Sequence, residues 1–299
     1  MLQACLEQLI NQRSERNFMS ATVLSFKEEY IQLSESKLEA KPFVKWVGGK
    51  RSILSTLLDK KPDNFERYYE PFLGGGALFF SLQPSNAVLS DINFSLVRTY
   101  QALKVSVDDV IDHLHRHKQN HCKEYYLKTR DSFANHVSDV ELAAKFIYLN
   151  KTCYNGLFRV NKSGKFNVPM GSYKNPRILD DENLRAVSKT LANTVIQQGT
   201  VEQIGIESNA FYYLDPPYHK TFSSYDKAGF GDKEHHMLAM LCKKIDEAGS
   251  KFMLSNSDTP YIRKLYQRFN RETVMAGRMI SCKSNQRGKE AELLIRNYG

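Results

Sequence analysis

Long apolar runs, clustered cysteines and tryptophan are absent or scarce in this chain of 299 residues. No apolar stretch approaches the roughly 18 residues that a membrane-spanning helix needs, so no membrane partner is expected. The amino-terminal segment contains Glu7 and no continuous apolar core, which argues against a secretory signal. The five cysteines are scattered without a C-x-x-C pair, and tryptophan occurs once, as Trp46. We therefore expect reduced thiols in a cytoplasmic protein, with neither a disulfide framework nor a cysteine zinc site.

Acidic residues are missing from one long stretch of a chain that is basic overall, with a formal net charge of +9. From Lys145 to Arg177 there are seven Lys or Arg residues and no Asp or Glu, and residues 261–290 contain eight basic and two acidic residues. An ordinary solvated surface mixes both signs of charge, so two basic blocks favour a polyanionic partner such as nucleic acid. Charge alone does not establish a nucleic-acid partner, because basic proteins need not bind nucleic acid.

Two regions of strand and helix patterns predict an α/β fold. The first contains a strand, a glycine turn and a helix within residues 67–80, and then a second strand that ends in an acid (AVLSDIN). After Gly199 the pattern returns with a strand at 211–214, a helix at 232–248 and further strands in KFMLSNS, ETVMA and ELLIRNY. Residues 1–40 are polar and weakly periodic, and we assign them no function.

The stretch between these regions has a different pattern. Residues 95–120 and 139–150 are predicted helices, and Ser138 is the expected N-cap of the second. Residues 157–168 contain two short runs around a glycine-containing turn, which predicts a β-hairpin. The α/β fold is therefore expected to be split by a mainly helical, basic insert.

Three consecutive glycines, residues 74–76, stand between a predicted strand and a predicted helix. Glycine in this place lets a ligand approach the backbone closely at the amino end of a helix. Asp91 closes the next predicted strand, where a carboxylate can accept hydrogen bonds from ribose hydroxyls. The run lacks the G-x-G-x-x-G spacing of dinucleotide-binding proteins, because A-L-F follows it. A nucleotide-like ligand is indicated, although an ordinary glycine-rich turn has the same pattern.

Asp215-Pro216-Pro217-Tyr218 follows the apolar strand directly. Ligands of open α/β sheets bind beyond the carboxyl ends of the strands, so this segment is expected beside the glycine turn. Proline lacks an N–H but keeps its carbonyl, so the Asp215 carboxylate and the Pro216 carbonyl form two rigid acceptors that suit an exocyclic amino group. Tyr218 supplies a flat face on which a base can stack. The alternative is a strand-terminating turn of the kind that prolines often form.

The chain contains, in this order, KPFVKWVGGK, EPFLGGGALF, LSDIN, YLNKTCYNGLFRVNKSGKFNVP and LDPPY. These motifs resemble those of the Dam family of DNA adenine-N6 methyltransferases, the D12 class with the alpha order of motifs. The likeness extends from about Lys41 to Gly299 and includes LSNSDT and SCKSNQRGKEAELLI. It implies a Rossmann-like methyltransferase sheet with an inserted, mainly helical DNA-recognition domain carrying a β-hairpin. The implied division is a catalytic domain at 41–94 and 186–299, a target-recognition domain at 95–185 and an unassigned N-terminal extension at 1–40.

The resemblance implies S-adenosylmethionine (SAM) as the methyl donor and double-stranded DNA as the substrate, with the target adenine flipped out of the duplex. The segment from Asp215 to Tyr218 would hold the adenine amino group for direct attack on the sulfonium methyl, without a metal or a covalent intermediate. The implied catalytic residues are Asp215, Pro216, Pro217 and Tyr218. The implied cofactor contacts are Trp46, Lys50, Phe72, Gly74, Gly76, Asp91 and Asp215.

Recognition of GATC is typical of the family, and the resemblance places DNA contacts in the N-terminal motif and in the insert. An arginine there can bind guanine in the major groove in bidentate fashion. The implied DNA-binding residues are Lys45, Lys151, Tyr154, Asn155, Leu157 and Arg159. Lys151 and Ser172 stand where the best-known members carry arginine, so the phosphate contacts or the stringency of recognition can differ.

Two other functions stay open at this point. A SAM methyltransferase for an RNA adenine or a protein amide would use the same Pro-Pro-aromatic segment, and a catalytically silent relative would keep only DNA binding. The presence of Trp46, Lys50, Asp91 and Asp215 favours an active enzyme. The histidines of HLHRHKQNH, residues 113–121, are more typical of a polar helix face than of a metal site. No obligate protein partner is inferred.

Overall fold

A computed structural model of the chain describes residues 39–133, 137–219, 230–277 and 289–299. Nearly all of the N-terminal extension lies outside these ranges. The helices are α1 (Leu54–Asp59), α2 (Ala77–Leu82), α3 (Phe94–Val105), α4 (Val107–Gln119), α5 (Lys123–Asp131), α6 (Asp139–Thr152), α7 (Asp181–Leu191), α8 (Asp232–Glu247) and α9 (Pro260–Leu265). The strands are β1 (Arg67–Glu70), β2 (Ala87–Asp91), β3 (Thr194–Gln198), β4 (Ala210–Leu214), β5 (Lys251–Ser257), β6 (Asn270–Gly277) and β7 (Lys289–Arg296). Short 3-10 turns occur at Lys50–Ser52, Tyr154–Gly156 and Val201–Gln203.

The seven strands form one sheet in the order β3-β2-β1-β4-β5-β7-β6. The pairs among β1 to β5 are parallel, with Glu70 opposite Leu89 and Leu214 opposite Leu254. Strand β7 is antiparallel to both of its neighbours, β5 and β6. The direction of the strand order reverses at β1, which lies between β2 and β4. In open sheets, the crevice at such a reversal binds ligands beyond the carboxyl ends of the strands.

The centre of the sheet is buried on both faces. All five residues of β4 are buried, which explains the continuous apolar run that is typical of a central parallel strand. Tyr68 and Phe211 lie in one hydrophobic core, with ring centroids 5.6 Å apart. Tyr69 and Tyr212 stack at 4.5 Å in the core on the other face. The strand predicted at 211–214 is therefore confirmed.

The helical segment differs from the prediction in one place. Helix α6 confirms the helix predicted at 139–150, and the Ser138 hydroxyl accepts a hydrogen bond from the N–H of Glu141 at 3.2 Å as its N-cap. The single helical stretch predicted at 95–120 is two helices, α3 and α4. The chain leaves the helical conformation at Ser106, with φ −143° and ψ 44°, and this break lets both helices pack against α6.

Residues 157–168 do not form the strands of the predicted hairpin. Isolated antiparallel bridges occur instead, between Val160 and Phe166 and between Cys153 and Met170. The turn is closed by the side-chain oxygen of Asn161, which accepts hydrogen bonds from the N–H groups of Ser163 and Lys165 at 2.9 and 3.0 Å. Backbone hydrogen bonds also cross this turn, from the N–H of Asn161 to the carbonyl of Lys165 at 2.8 Å and from the N–H of Asn167 to the carbonyl of Arg159 at 3.1 Å, so the segment pairs without forming regular strands.

One hydrophobic core joins the sheet to the helical segment, and it includes Phe79 and Leu89 together with Leu149 and Phe166. The predicted boundary between residues 185 and 186 falls inside α7, which packs against α3 and α4. A separate target-recognition domain stays a prediction. Within the ranges that the structure describes, no helix is both long and apolar enough to cross a membrane.

Candidate active site

The glycine turn and the Asp-Pro-Pro-Tyr segment lie at the same edge of the sheet. Strand β1 ends at Glu70 and leads into the glycines, and its parallel neighbour β4 ends at Leu214 and leads into Asp215. Parallel neighbours point their carboxyl ends in the same direction, so the two loops flank the crevice at the reversal of strand order. The structure therefore brings together the two motifs that sequence reasoning placed side by side.

The glycine turn needs glycine at two positions. Gly74 and Gly76 have φ values of +47° and +65°, in the left-handed region that other residues rarely adopt. A Cβ atom on Gly74 would lie 2.6 Å from Cδ1 of Trp46, so any side chain there would force the indole to move. The indole of Trp46 also stacks against Phe146 and Phe158, with ring centroids 6.4 and 6.3 Å away. The turn and Trp46 thus form a preformed wall of the crevice.

Asp91 fastens this turn to the end of β2. Its Oδ2 accepts a hydrogen bond from the N–H of Gly74 and its Oδ1 accepts one from the N–H of Asn93, both at 2.9 Å. Burial raises the pKa of Asp91 above its ordinary value, while these backbone hydrogen bonds oppose the increase. The backbone N–H of Ile92 acts in the same direction, and a carboxylate with about four acceptor sites can still accept a hydrogen bond from an external donor. The adjacent Ile92 is 67% exposed and adds an apolar surface that sequence reasoning missed.

Asp215 forms a buried ion pair with Lys50. The Lys50 Nζ lies 2.8 Å from Oδ2 of Asp215 and donates a second hydrogen bond to the carbonyl of Gly48 at 2.6 Å. The Lys50 side chain is only 6% exposed. The other oxygen of Asp215, Oδ1, is buried and accepts no hydrogen bond from the described residues. Burial raises the pKa of Asp215 to about 6, although the Lys50 ammonium lowers it.

The aromatic ring of the segment is held at its hydroxyl and at its face. The Tyr218 hydroxyl donates a hydrogen bond to Oε2 of Glu292 on β7 at 2.7 Å. The Lys50 Nζ lies 4.9 Å from the centroid of the Tyr218 ring, within the range of a cation–π contact. Pro216 is buried and Pro217 is half-buried. Lys50 was predicted as a cofactor contact, and the structure places it between the acid and the aromatic ring.

Glu70 is a buried acid of the site that sequence reasoning missed. It closes β1 just before the glycine turn, and the Tyr68 hydroxyl donates a hydrogen bond to its Oε2 at 2.8 Å. Burial raises the pKa of Glu70 to about 8, and the nearby negative charge of Asp215 adds to the increase. An available signal was its position, because Glu70, Asp91 and Asp215 each stand at or directly after the end of a central strand.

Glu70 should affect stability in a pH-dependent way. The pKa of its carboxyl group is about 8 in the folded chain, against an ordinary 4.5, so ionisation of Glu70 destabilises the folded state as pH rises between these values. We expect the Glu70→Gln variant to match the wild type near pH 5 and to exceed its unfolding free energy by several kcal/mol near pH 9, at about 1.4 kcal/mol per pH unit. Urea unfolding at both pH values measures this difference, and an equal difference at both would contradict a raised pKa.

Lys45 is tied to the helical segment through Asn150. The Asn150 Oδ1 accepts a hydrogen bond from the backbone N–H of Lys45, and its Nδ2 donates to the carbonyl of Lys45, each at 2.8 Å. The same Nδ2 donates to the carbonyl of Gly156 at 2.9 Å. The Lys45 ammonium lies 4.1 Å from the centroid of the Tyr173 ring. Asn150 and Tyr173 were not predicted as site residues, because only the folded chain brings them to Lys45.

The other predicted DNA contacts lie on the 3-10 turn after α6 and beyond it. Tyr154 is 45% exposed, and Asn155 has a left-handed φ of 54°. Leu157 is half-buried, whereas Arg159 is exposed and donates a hydrogen bond from Nε to Oδ1 of Asn167 at 2.8 Å. This surface offers an exposed aromatic ring, an apolar side chain and a guanidinium within one short segment.

Lys151, at the end of α6, is half-buried, as is Lys45, whereas Arg159 is exposed. Burial lowers its pKa to about 8, and the positive charges of Lys45, Arg51 and Arg177 lower it further. Asp180 opposes this decrease and pairs with Arg177 at 3.0 Å, so the region keeps an excess of positive charge, which favours binding of a polyanion. Of the histidines at 113–121, His115 is exposed, as expected of a polar helix face, whereas His117 is buried and stacks on Tyr148 at 4.8 Å.

The seven-stranded α/β sheet, with its antiparallel β7 and two loops at the reversal of the strand order, is consistent with a methyltransferase fold. Sequence comparison gives the family. A sequence model of the D12 class of N6 adenine-specific DNA methyltransferases matches residues 46–280, and the chain belongs to this family. The predicted family and the coarse fold class are confirmed.

Several curated proteins are similar over most of the chain. The type II methyltransferase M.MjaIII of Methanocaldococcus jannaschii is 44% identical, and the match covers 87% of this chain and 100% of that protein. The type II methyltransferase M1.LlaDCHI of Lactococcus lactis subsp. cremoris is 39% identical, with 89% and 99% covered. A DNA adenine methylase of Vibrio cholerae is 34% identical, with 84% and 94% covered.

Proposed function

We propose that this protein transfers the methyl group of SAM to N6 of a flipped adenine in double-stranded DNA, at a specific site that we expect to be GATC. The observation that carries the proposal is the buried Oδ1 of Asp215, which accepts no hydrogen bond from the described residues and lies beyond β4 at the edge that holds the glycine turn. A buried acceptor without a partner is costly unless a ligand supplies the donor. An adenine amino group supplies two N–H donors.

The residues around the glycine turn fit SAM. SAM supplies an electrophilic methyl group on a sulfonium, so the protein needs neither a nucleophile nor a Lewis acid of its own. The lone pairs left on Asp91 suit ribose hydroxyls, and the exposed Ile92 suits the face of the adenine ring. An ammonium of the amino acid portion beside Glu70 would favour the ionised form of this acid and lower its raised pKa. The predicted contacts that fit this role are Trp46, Phe72, Gly74, Gly76 and Asp91.

The Asp-Pro-Pro-Tyr segment prepares the amino group for attack. Asp215 Oδ1 and the Pro216 carbonyl each accept one hydrogen bond from N6, which draws the nitrogen lone pair out of conjugation with the ring. N6 provides the electron pair of the new N–C bond, and the pair of the broken S–C bond stays with the departing sulfur. Asp215 accepts the surplus proton from N6. Pro217 keeps the segment rigid, and Tyr218 stacks on the flipped base.

Lys50 keeps the carboxyl group of Asp215 ionised at neutral pH. The ammonium 2.8 Å from Oδ2 opposes the effect of burial, and the pKa of Asp215 stays at about 6. The carboxyl group is therefore ionised above about pH 6. Lys50 also fixes the direction of Oδ2, which leaves Oδ1 for the substrate.

The basic surface at the end of α6 suits the DNA backbone and a sequence-reading contact. Lys45, Lys151, Arg51 and Arg177 bring four cations to one region, and such cations bind phosphates. Beyond them, Tyr154, Asn155, Leu157 and Arg159 are proposed to enter the duplex at the target site. The counterion release that accompanies these contacts makes binding weaker as salt rises.

Arg159 is expected to contact a base edge, with the exposed Lys165 as its matched control. The Arg159→Ala variant should lower the preference for one base of the target by about 1–3 kcal/mol and leave the other positions unchanged. The Lys165→Ala variant should weaken binding uniformly across sequences. Methylation rates on duplexes with single substitutions in the site measure both. If the methylation rate of the Arg159→Ala variant fell equally on all duplexes, Arg159 would contact phosphate rather than a base.

The proposed function is tested by transfer of label from methyl-tritiated SAM to three duplexes, with GATC, with a scrambled site and with N6-methylated GATC. Label in the first duplex alone is the expected result. Label in both unmethylated duplexes would uphold methyl transfer to DNA but contradict specific recognition of GATC. Ser172 would then be the first residue to substitute. No label in any duplex, with SAM bound in a calorimeter, would favour an RNA adenine or a protein amide as the acceptor.

A further inference from the structure

Strand β7 contributes a carboxylate to the catalytic segment. Glu292 lies opposite Ser257 of β5 and is half-buried, while the next three residues of its strand are buried in the core. Its Oε2 accepts the hydrogen bond of the Tyr218 hydroxyl at 2.7 Å. A distance this short is typical of a phenol that donates to a charged acceptor. Glu292 is 74 residues from Tyr218 in the chain, so no motif of the sequence pairs them.

Four groups form a connected series through the site. Glu292 binds the hydroxyl of Tyr218, the Tyr218 ring faces the Lys50 ammonium at 4.9 Å, and the same ammonium lies 2.8 Å from Asp215. The Tyr218 ring is thus oriented by a carboxylate at its hydroxyl and by a cation at its face. The orientation of the Tyr218 ring depends on two side-chain torsions, and the contacts at its hydroxyl and at its face restrict both torsions.

The charge on Glu292 also changes the ring itself. A phenol that donates to a carboxylate has a more electron-rich oxygen, and its ring face becomes more negative. An adenine that stacks on that ring gains positive charge at N6 as the new N–C bond forms. A negative ring face stabilises this developing charge more than it stabilises the neutral ground state, which lowers the barrier to transfer.

We propose that Glu292 is a positioning residue for methyl transfer and that it acts through the hydroxyl of Tyr218. The proposal rests on the function proposed above, in which Tyr218 stacks on the flipped adenine. Glu292 does not touch the reacting atoms, so its removal should lower the rate of the chemical step and leave ligand binding unchanged.

The test compares Glu292→Gln, Tyr218→Phe and the double variant in single-turnover methylation. Glu292→Gln keeps an acceptor and removes the charge, and we expect it to lower the single-turnover rate about tenfold with unchanged KM for DNA and unchanged calorimetric affinity for SAM. Tyr218→Phe removes the hydroxyl and should lower the rate by a similar factor. Adding Glu292→Gln to Tyr218→Phe should then have no further effect, because the route through the hydroxyl is already lost.

The controls separate this inference from the proposed function and from misfolding. Glu247→Gln, at an exposed acid of α8, should leave the rate unchanged, and melting temperatures of all variants confirm that they fold. The role of Glu292 would be contradicted if Glu292→Gln had the wild-type rate, or if the rate losses of the two single variants multiplied in the double variant. In either case, activity of the wild-type protein would still uphold the proposed function. A wild-type protein that transfers no label would overturn the proposed function itself.

Discussion

Replacing Asp215 with Ala should lower methyl transfer by at least about 10³-fold, the upper range for loss of one preorganised polar group at a reacting centre. The variant loses both the unpartnered Oδ1 that we assign to the amino group and the Oδ2 that pairs with Lys50. The proposed DNA contacts lie on other elements, so the dissociation constant for DNA should stay close to that of the wild type. Label transfer under single-turnover conditions and fluorescence anisotropy with labelled duplex measure the two quantities.

Asp215→Ala also breaks the ion pair with Lys50, and a second variant separates the resulting loss of stability from the loss of activity. Asp215→Ala leaves the ammonium of Lys50 buried without its partner, and an uncompensated buried charge costs about 3–5 kcal/mol of stability. Lys50→Met combined with Asp215→Ala removes that charge and should restore much of the melting temperature. Activity should stay absent in the double variant. Transfer at a near wild-type rate in either variant would show that Asp215 has no catalytic role.

Replacing Lys50 with Met should move the pH dependence of the reaction upwards. In the wild type, kcat/KM should fall as pH drops below about 6, where Asp215 takes up a proton. Without the cation, burial and the nearby negative charge of Glu292 both act to raise the pKa of Asp215 above that value. The variant should therefore be nearly inactive at neutral pH and recover part of its activity at alkaline pH. A profile from about pH 5 to pH 9.5 measures this shift.

Lys50→Arg is the matched control, because it keeps a positive charge near Asp215 and should keep the acid side of the profile near that of the wild type. Stability gives a second measurement with a defined sign. An acid whose folded pKa is raised destabilises the folded state as pH rises above its ordinary value, so Lys50→Met should lose most stability at high pH. An unchanged acid side of the Lys50→Met profile would contradict the assigned pairing.

Local patterns predicted the central sheet and the two loops of the site. The run from Phe211 to Leu214 needed only its length and its aromatic content, because a strand buried on both faces has to be apolar throughout. The glycine turn and the Asp-Pro-Pro-Tyr segment were each predicted from contiguous residues. The rule that ligands bind beyond the carboxyl ends of parallel strands then placed them together.

Contacts between distant residues could not be predicted in this way. Asn150 joins Lys45 across 105 residues, and Glu292 joins Tyr218 across 74. Neither Asn150 nor Glu292 stands in a local pattern that names its partner, since their positions follow from how α6 and β7 pack. The single helix expected at 95–120 was wrong for a local reason, because Ser106 ends one helix and precedes the next, whose first turn contains Asp108 and Asp109.

The scarcity of tryptophan has a practical consequence. The chain has one indole, and it lies so close to Gly74 that any side chain there would force the indole to move. When tryptophan is excited selectively, the emission of the unmodified protein therefore comes from a single known place, on the wall of the crevice where the glycine turn meets the aromatic rings of Phe146 and Phe158. A change in its intensity or wavelength during a titration reports occupancy of that crevice directly, without a label and without turnover.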